Sequence, residues 1–246
     1  MQQDTIKMPF TSHLVELRKR LIISIIAIIV GFGISYSYSE TLFKILARPL
    51  PPNTTFTFIR LIEPFFTYMK VSLLTGIFLA SPVLIYEILA FIAPGLHEKE
   101  KRWVWPIIVS STILFIGGIL FGYFFVLPFG YSYFISFSSD TIKPMLSMDE
   151  YFSFTTKFLL AFGIVFEMPL FILFLSLLGV VNAKMLSAYR KYALLAIFII
   201  AAILTPTPDA FSQILMAGPM IILYEVGVLL ARIFGKKLTD ETGEHS

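Results

Sequence analysis

The sequence predicts an all-α polytopic membrane protein: six transmembrane helices, both termini on the inner side, and interfacial helices capping the outer side. Three observations predict it. Of 246 residues, 57% are hydrophobic and 14% charged, whereas soluble domains carry about 25% charged residues. Mean hydropathy is +0.83, and apolar runs near the roughly 20 residues that cross a bilayer recur along the chain. The cations also segregate. Thirteen of the nineteen Lys and Arg residues fall on alternate connections, which by the positive-inside tendency places those connections and both termini in the cytoplasm.

The spans follow in order. The first covers 21–38, and the SYSYSE that follows its apolar core offers no small-residue cleavage site, so a retained span is expected rather than a signal peptide. The second covers 67–93, broken by Pro82 and stopped at Pro94-Gly95. The third covers 103–127, with Gly118 and Gly122 as a GxxxG pair that fits close packing. The fourth covers 158–181. The fifth, 192–205, provides only roughly 21 Å of helix for a core of about 30 Å. The sixth covers 210–232. The turn TPTPD (205–209) is therefore expected below the outer surface, with thinned lipid around it. The outer connections 39–66 and 128–157 are rich in apolar and aromatic residues, as interfacial caps would be. Residues 1–237 form a single membrane domain, and the polar tail 238–246 is expected to be disordered.

Composition also excludes chemistry. Cysteine is absent, which removes disulfides and thiol catalysis. His13, His97 and His245 are too scattered for a metal site, and nothing predicts a cofactor. Four sets of polar residues stand out. Glu16 lies among Arg18, Lys19 and Arg20 in SHLVELRKR; it is either a solvated salt-bridge partner or a ligand group. Glu98 and Glu100 lie in the loop PGLHEKEKRW on the same side. Two acid-bearing surfaces on one face suit a ligand with two adjacent cations, and arginine's planar fork fits carboxylates better than lysine. Glu167 sits near the middle of the fourth span, where an ionisable residue is a functional candidate by default; its alternative is a neutral group bonded to a neighbouring helix. Glu87 and Glu225 lie at matching depth near the inner face, where snorkelling explains them equally well.

Four blocks, HLVELRKRL (13–21), SPVLIYEILAFIAPGLHEKEKR (81–102), AFGIVFEMPL (161–170) and LTPTPDAFSQ (204–213), resemble the TatC family, the polytopic subunit of the twin-arginine protein translocase. The resemblance implies a receptor, not an enzyme, in the cytoplasmic (inner) membrane of a prokaryote. It implies twin-arginine signal peptides of folded cargo as ligands, single-span TatA and TatB as partners, self-association in a receptor complex, and the proton-motive force as the driving energy. No nucleic acid is implied. Glu16, Glu100, Arg18, Phe91 and Pro94 match the signal-peptide region, with Glu98 an additional acid. Glu167 matches an intramembrane glutamate, Pro49 an outer-loop proline, and Thr205 and Gln213 the region where partner subunits dock. The TPTPD turn is one residue longer than the TPPD of many relatives, which shifts Thr205 in register. A proton-coupled secondary transporter using Glu167 is the alternative; it requires a polar pathway at mid-membrane and is weakened by the lack of internal repeats. An intramembrane hydrolase lacks paired aspartates, a Ser–His dyad and HExxH.

Overall fold

The computed structural model describes residues 10–50, 55–92, 104–139, 145–205 and 209–235. Helix α1 (Phe10–Tyr36) is continuous from the basic segment through the first apolar run. It turns by 83° into α2 (Ser39–Ala47), a separate short helix at the end of the bundle remote from the basic segment, the end expected from the cation pattern to be the outer one. α2 carries the ion pair Glu40–Lys44 at 2.7 Å on its exposed face and buries Leu46 on the other. Two short strands, β1 (Phe56–Thr57) and β2 (Leu146–Ser147), pair in parallel and tie the two outer connections together.

α3 (Glu63–Ile92) passes through Pro82 without a break, against the interruption expected there. The reason is local. Proline removes the N–H that would bond the carbonyl of Phe78, and the Ser81 hydroxyl donates to that carbonyl instead, at 2.8 Å. α4 (Val104–Phe121) runs into a π-helical turn, Gly122–Val126, and then into α5 (Leu127–Ile135). The Leu127 N–H reaches back five residues to the carbonyl of Gly122. This widened turn absorbs Pro128, so the helix extends eight residues past the predicted end of the third span.

α6 (Met148–Phe166) starts ten residues before the predicted fourth span. Its start is N-capped: the Ser147 side chain accepts from the Glu150 backbone N–H at 3.4 Å, and Glu150 stands at the third helical position. After a one-residue interruption at Glu167 comes α7 (Met168–Leu177), ended by Gly179 in the left-handed region at φ 74°. Short α8 (Ala183–Ala188) precedes α9 (Arg190–Leu204). α9 has 15 residues, about 22 Å of helix. In α10 (Ala210–Phe234) the Asp209 side chain caps the first turn through the Ser212 N–H at 2.8 Å.

α3 is the hub, packing on α1, α4 and α6, while α7 packs on α10 and α10 on α9. Phe152, Leu159, Phe162, Leu127 and Met216 form the fully buried centre. At the outer end Tyr151 and Tyr123 hold α2 down: their hydroxyls donate to the carbonyls of Leu46 and Ile45 at 2.8 and 2.6 Å. Lys70 of α3 bonds Asp149 and Ser153 of α6 beside them. α1 exposes Leu21, Ile25 and Ile29. A helix whose outward face is this apolar has lipid as its solvent.

Glycine sets the closest helix approach. A Cβ at Gly31 of α1 would stand 2.5 Å from the Gly76 carbonyl oxygen of α3, and one at Gly76 would stand 2.6 Å from the Phe32 nitrogen. Gly118 has the same use within the bundle, since its Cβ would lie 2.6 Å from the Phe162 carbonyl of α6. The GxxxG pair is therefore a contact inside the chain.

Candidate functional site

At the basic end, α1 and α3 run antiparallel with their charged side chains facing across the seam. Arg20 donates to Glu16 Oε1 from Nη2 at 2.7 Å and from Nε at 3.1 Å, and to Glu87 Oε2 from Nη1 at 3.0 Å. The sequence expresses only the first pair, an (i, i+4) contact within one helix turn. The second spans 67 residues. It follows from helix register: Gly31 lies eleven residues beyond Arg20 on α1, and Gly76 lies eleven residues before Glu87 on α3. The glycine contact thus sets Arg20 opposite Glu87 about three turns away.

The three side chains differ in exposure. Glu16 and Arg20 are each 22% exposed, Glu87 only 8%. Burying a carboxylate this far from water is costly without a partner, and Arg20 supplies one. Both bonds to Glu16 fall on one oxygen; Oε2 takes none among the described residues. Arg18 and Lys19 are exposed on the same turn. Phe91, half-buried, lies one turn beyond Glu87 in α3. Pro94, Glu98 and Glu100 lie outside the described residues. Glu225, placed at the same depth as Glu87 by the sequence, makes a two-pronged pair with Arg190 of α9 at 2.7 and 2.8 Å.

Glu167 lies at the join of α6 and α7. Pro169 cannot supply a helical N–H, so the chain closes a tighter turn there, Glu167 N–H to the Ile164 carbonyl at 3.1 Å, before α7 resumes. The carboxyl faces a cavity of about 210 Å³ between α3, α4 and α7, lined by Ile85, Ile107, Leu170 and Phe174 among others. Ser111 of α4 hydrogen-bonds it, while Oε1 is buried without a partner among the described residues. Ser111 escapes a reading of sequence because serine is ordinary in a membrane helix; only the facing of α4 on α7 singles it out.

Gln213 of α10 donates from its side-chain nitrogen to the Phe198 carbonyl of α9 at 3.0 Å. Its side-chain oxygen has no partner among the described residues. Thr205 caps the end of α9 and makes a long 3.4 Å bond to the Ala202 carbonyl. Pro49 lies at the outer end of α2 and lines a cavity of about 290 Å³ with Arg48, Tyr123 and Phe124. No cluster of metal-ligating side chains occurs among the described residues.

Helices with lipid-facing apolar surfaces, a carboxyl within the bundle, and an acid–guanidinium cluster at its basic end define a polytopic helical membrane protein. Residues 12–219 match the family described as Sec-independent protein translocase protein (TatC). The chain is 50% identical over 248 residues to that protein of Desulforapulum autotrophicum, covering 99% of this chain and 92% of the relative. It is 40% identical over 235 residues to the Aquifex aeolicus protein, covering 94% and 97%. Two crystal structures of the twin arginine translocase receptor TatC superpose at TM-scores of 0.79 and 0.81, with 41% and 39% identity. They cover 89% and 90% of this chain, and 97% and 100% of theirs. The chain belongs to the TatC family of Sec-independent protein translocases.

Proposed function

We propose that this chain is the receptor for twin-arginine signal peptides and the assembly scaffold of the translocase, working in the cytoplasmic membrane with both termini in the cytoplasm. The supporting observation is Glu16: a carboxylate at the membrane edge with one oxygen unengaged among the described residues, on a helix that carries Arg18, Lys19 and Arg20 beside it. The cations hold this edge on the cytoplasmic side. The carboxylate accepts a guanidinium of the ligand. Glu100, from the adjoining cytoplasmic loop, takes the second, and Phe91 and Pro94 border the path of the peptide. The apolar part of the signal peptide then enters along the bundle.

Single-span partners, TatA and TatB, dock beside α9 and α10, where the Gln213 oxygen, without a partner among the described residues, and exposed Ile200, Ile203 and Ile214 offer a polar group in an apolar face. Short α9 thins the membrane there. Glu167 offers a polar contact to a partner helix at mid-membrane, and the proton-motive force drives passage of the folded cargo. A proton-coupled transporter through Glu167 would require a continuous polar route. Around Glu167 the cavity lining is apolar except for Ser111, which favours the receptor reading.

The test is binding of a labelled twin-arginine peptide, against the same peptide with paired lysines, to Glu16→Ala and Glu100→Ala variants. Each variant should bind at least tenfold more weakly, since a charge-assisted pair of this kind contributes about 1.5–3 kcal/mol. Unaltered binding in both variants would refute the proposal.

A further inference from the structure

We infer, resting on the receptor reading above, that Glu87 is a further carboxylate of the ligand site and Arg20 its resident guanidinium: the incoming arginine takes Glu16 as Arg20 withdraws onto Glu87. The charge inventory comes first. Among the described residues the cluster is Glu16, Arg20 and Glu87, two negative charges and one positive, one cation short of neutral. A ligand arginine completes it as two carboxylates with two guanidiniums.

The geometry permits the exchange without stranding a charge. Arg20 bonds both acids at once, at 2.7 Å and 3.0 Å. Releasing Glu16 therefore leaves it paired. Glu87, at 8% exposure, is the acid that cannot be left alone, and Glu16, at 22%, is the one a ligand reaches. Glu87 Oε1 takes no bond among the described residues, so it can accept a donor that Arg20 withdraws from Glu16. Arg20 keeps its place because the close Gly31–Gly76 contact holds α1 against α3.

The exchange also bears on selectivity. Arg20 engages Glu16 through two nitrogens of one planar fork. A ligand arginine replaces like with like, whereas a lysine ammonium presents a strongly hydrated point charge and cannot reproduce that fork. Without Glu87, Arg20 would belong wholly to Glu16 and would compete with the ligand.

The test uses full-length chain in lipid nanodiscs and a fluorescent twin-arginine peptide. Glu87→Gln leaves Arg20 committed to Glu16 and should weaken binding roughly tenfold. Arg20→Gln/Glu87→Gln removes the competitor together with its second acid and should restore binding to the wild-type level or better. A Glu87→Gln variant that binds like wild type overturns the inference, as does a double variant that stays as weak as the single. Thermal unfolding of each variant monitors folding. If Glu87→Gln does not fold, the double variant decides alone, since binding below wild type would make Arg20 a support for Glu16 and not its competitor. Glu16→Ala in the same series separates the two levels. If Glu16→Ala and Glu100→Ala both bind normally the receptor reading itself fails; if Glu16→Ala binds weakly while Glu87→Gln binds normally, only the exchange fails.

Discussion

Replacing Gly31 with alanine should loosen the α1–α3 seam and, with it, the acid–guanidinium cluster three turns away. The added Cβ would stand 2.5 Å from the Gly76 carbonyl oxygen and 3.1 Å from its Cα. Ordinary contact begins at 3.4 Å, so the two backbones must part by roughly 0.9 Å. The obstacle is main chain, and no rotamer change relieves it. A rigid displacement of that size would open the 3.0 Å Arg20–Glu87 bond to roughly 3.9 Å, beyond hydrogen-bonding distance. The overpacking costs about 1–3 kcal/mol, and the weakened partner of a buried carboxylate adds to it. Two measurements check this: thermal unfolding in detergent, and the Arg20–Glu87 coupling energy from a double-mutant cycle in wild-type and Gly31→Ala backgrounds. Both should fall. An unchanged unfolding temperature with an unchanged coupling would refute the register argument.

Two further outcomes follow from the outer half of the molecule. Tyr151→Phe removes the 2.8 Å bond to the Leu46 carbonyl and should cost about 1–2 kcal/mol; limited proteolysis near α2 should speed up before global unfolding does. Gln213→Leu removes the tie from α10 to the Phe198 carbonyl at a cost of only about 0.6 kcal/mol, so it should fold normally while photo-crosslinking of a single-span partner at α9 and α10 declines. Undiminished crosslinking would remove Gln213 from the docking surface.

Much of this molecule was legible before any coordinates. Hydropathy is a local property of twenty-residue stretches, and cation asymmetry needs no folding at all, so membrane class and expected orientation came from the chain directly. Glu16 and Glu167 stood out because each is chemically out of place in its own window. The helix ends were less legible. The start of α6 was written in Ser147 as an N-cap three residues before Glu150, but an aromatic-rich window obscured it. Pro82 suggested a break and the third span was expected to end at 127, yet the Ser81 hydroxyl and a π-helical turn carry the helices through Pro82 and Pro128.

What only the tertiary structure decided is the partnership of groups far apart in the chain. Glu87 and Glu225 were acids at matching depth with no visible partners. The fold gives one to Arg20 and the other to Arg190. Ser111 acquires meaning only where α4 faces Glu167. Sequence determines which residues are costly to place in a membrane, because that cost belongs to the side chain and its depth. It does not determine which neighbour relieves the cost, because that depends on helix register, and here register is set by two glycines whose only distinguishing property is the absence of a side chain.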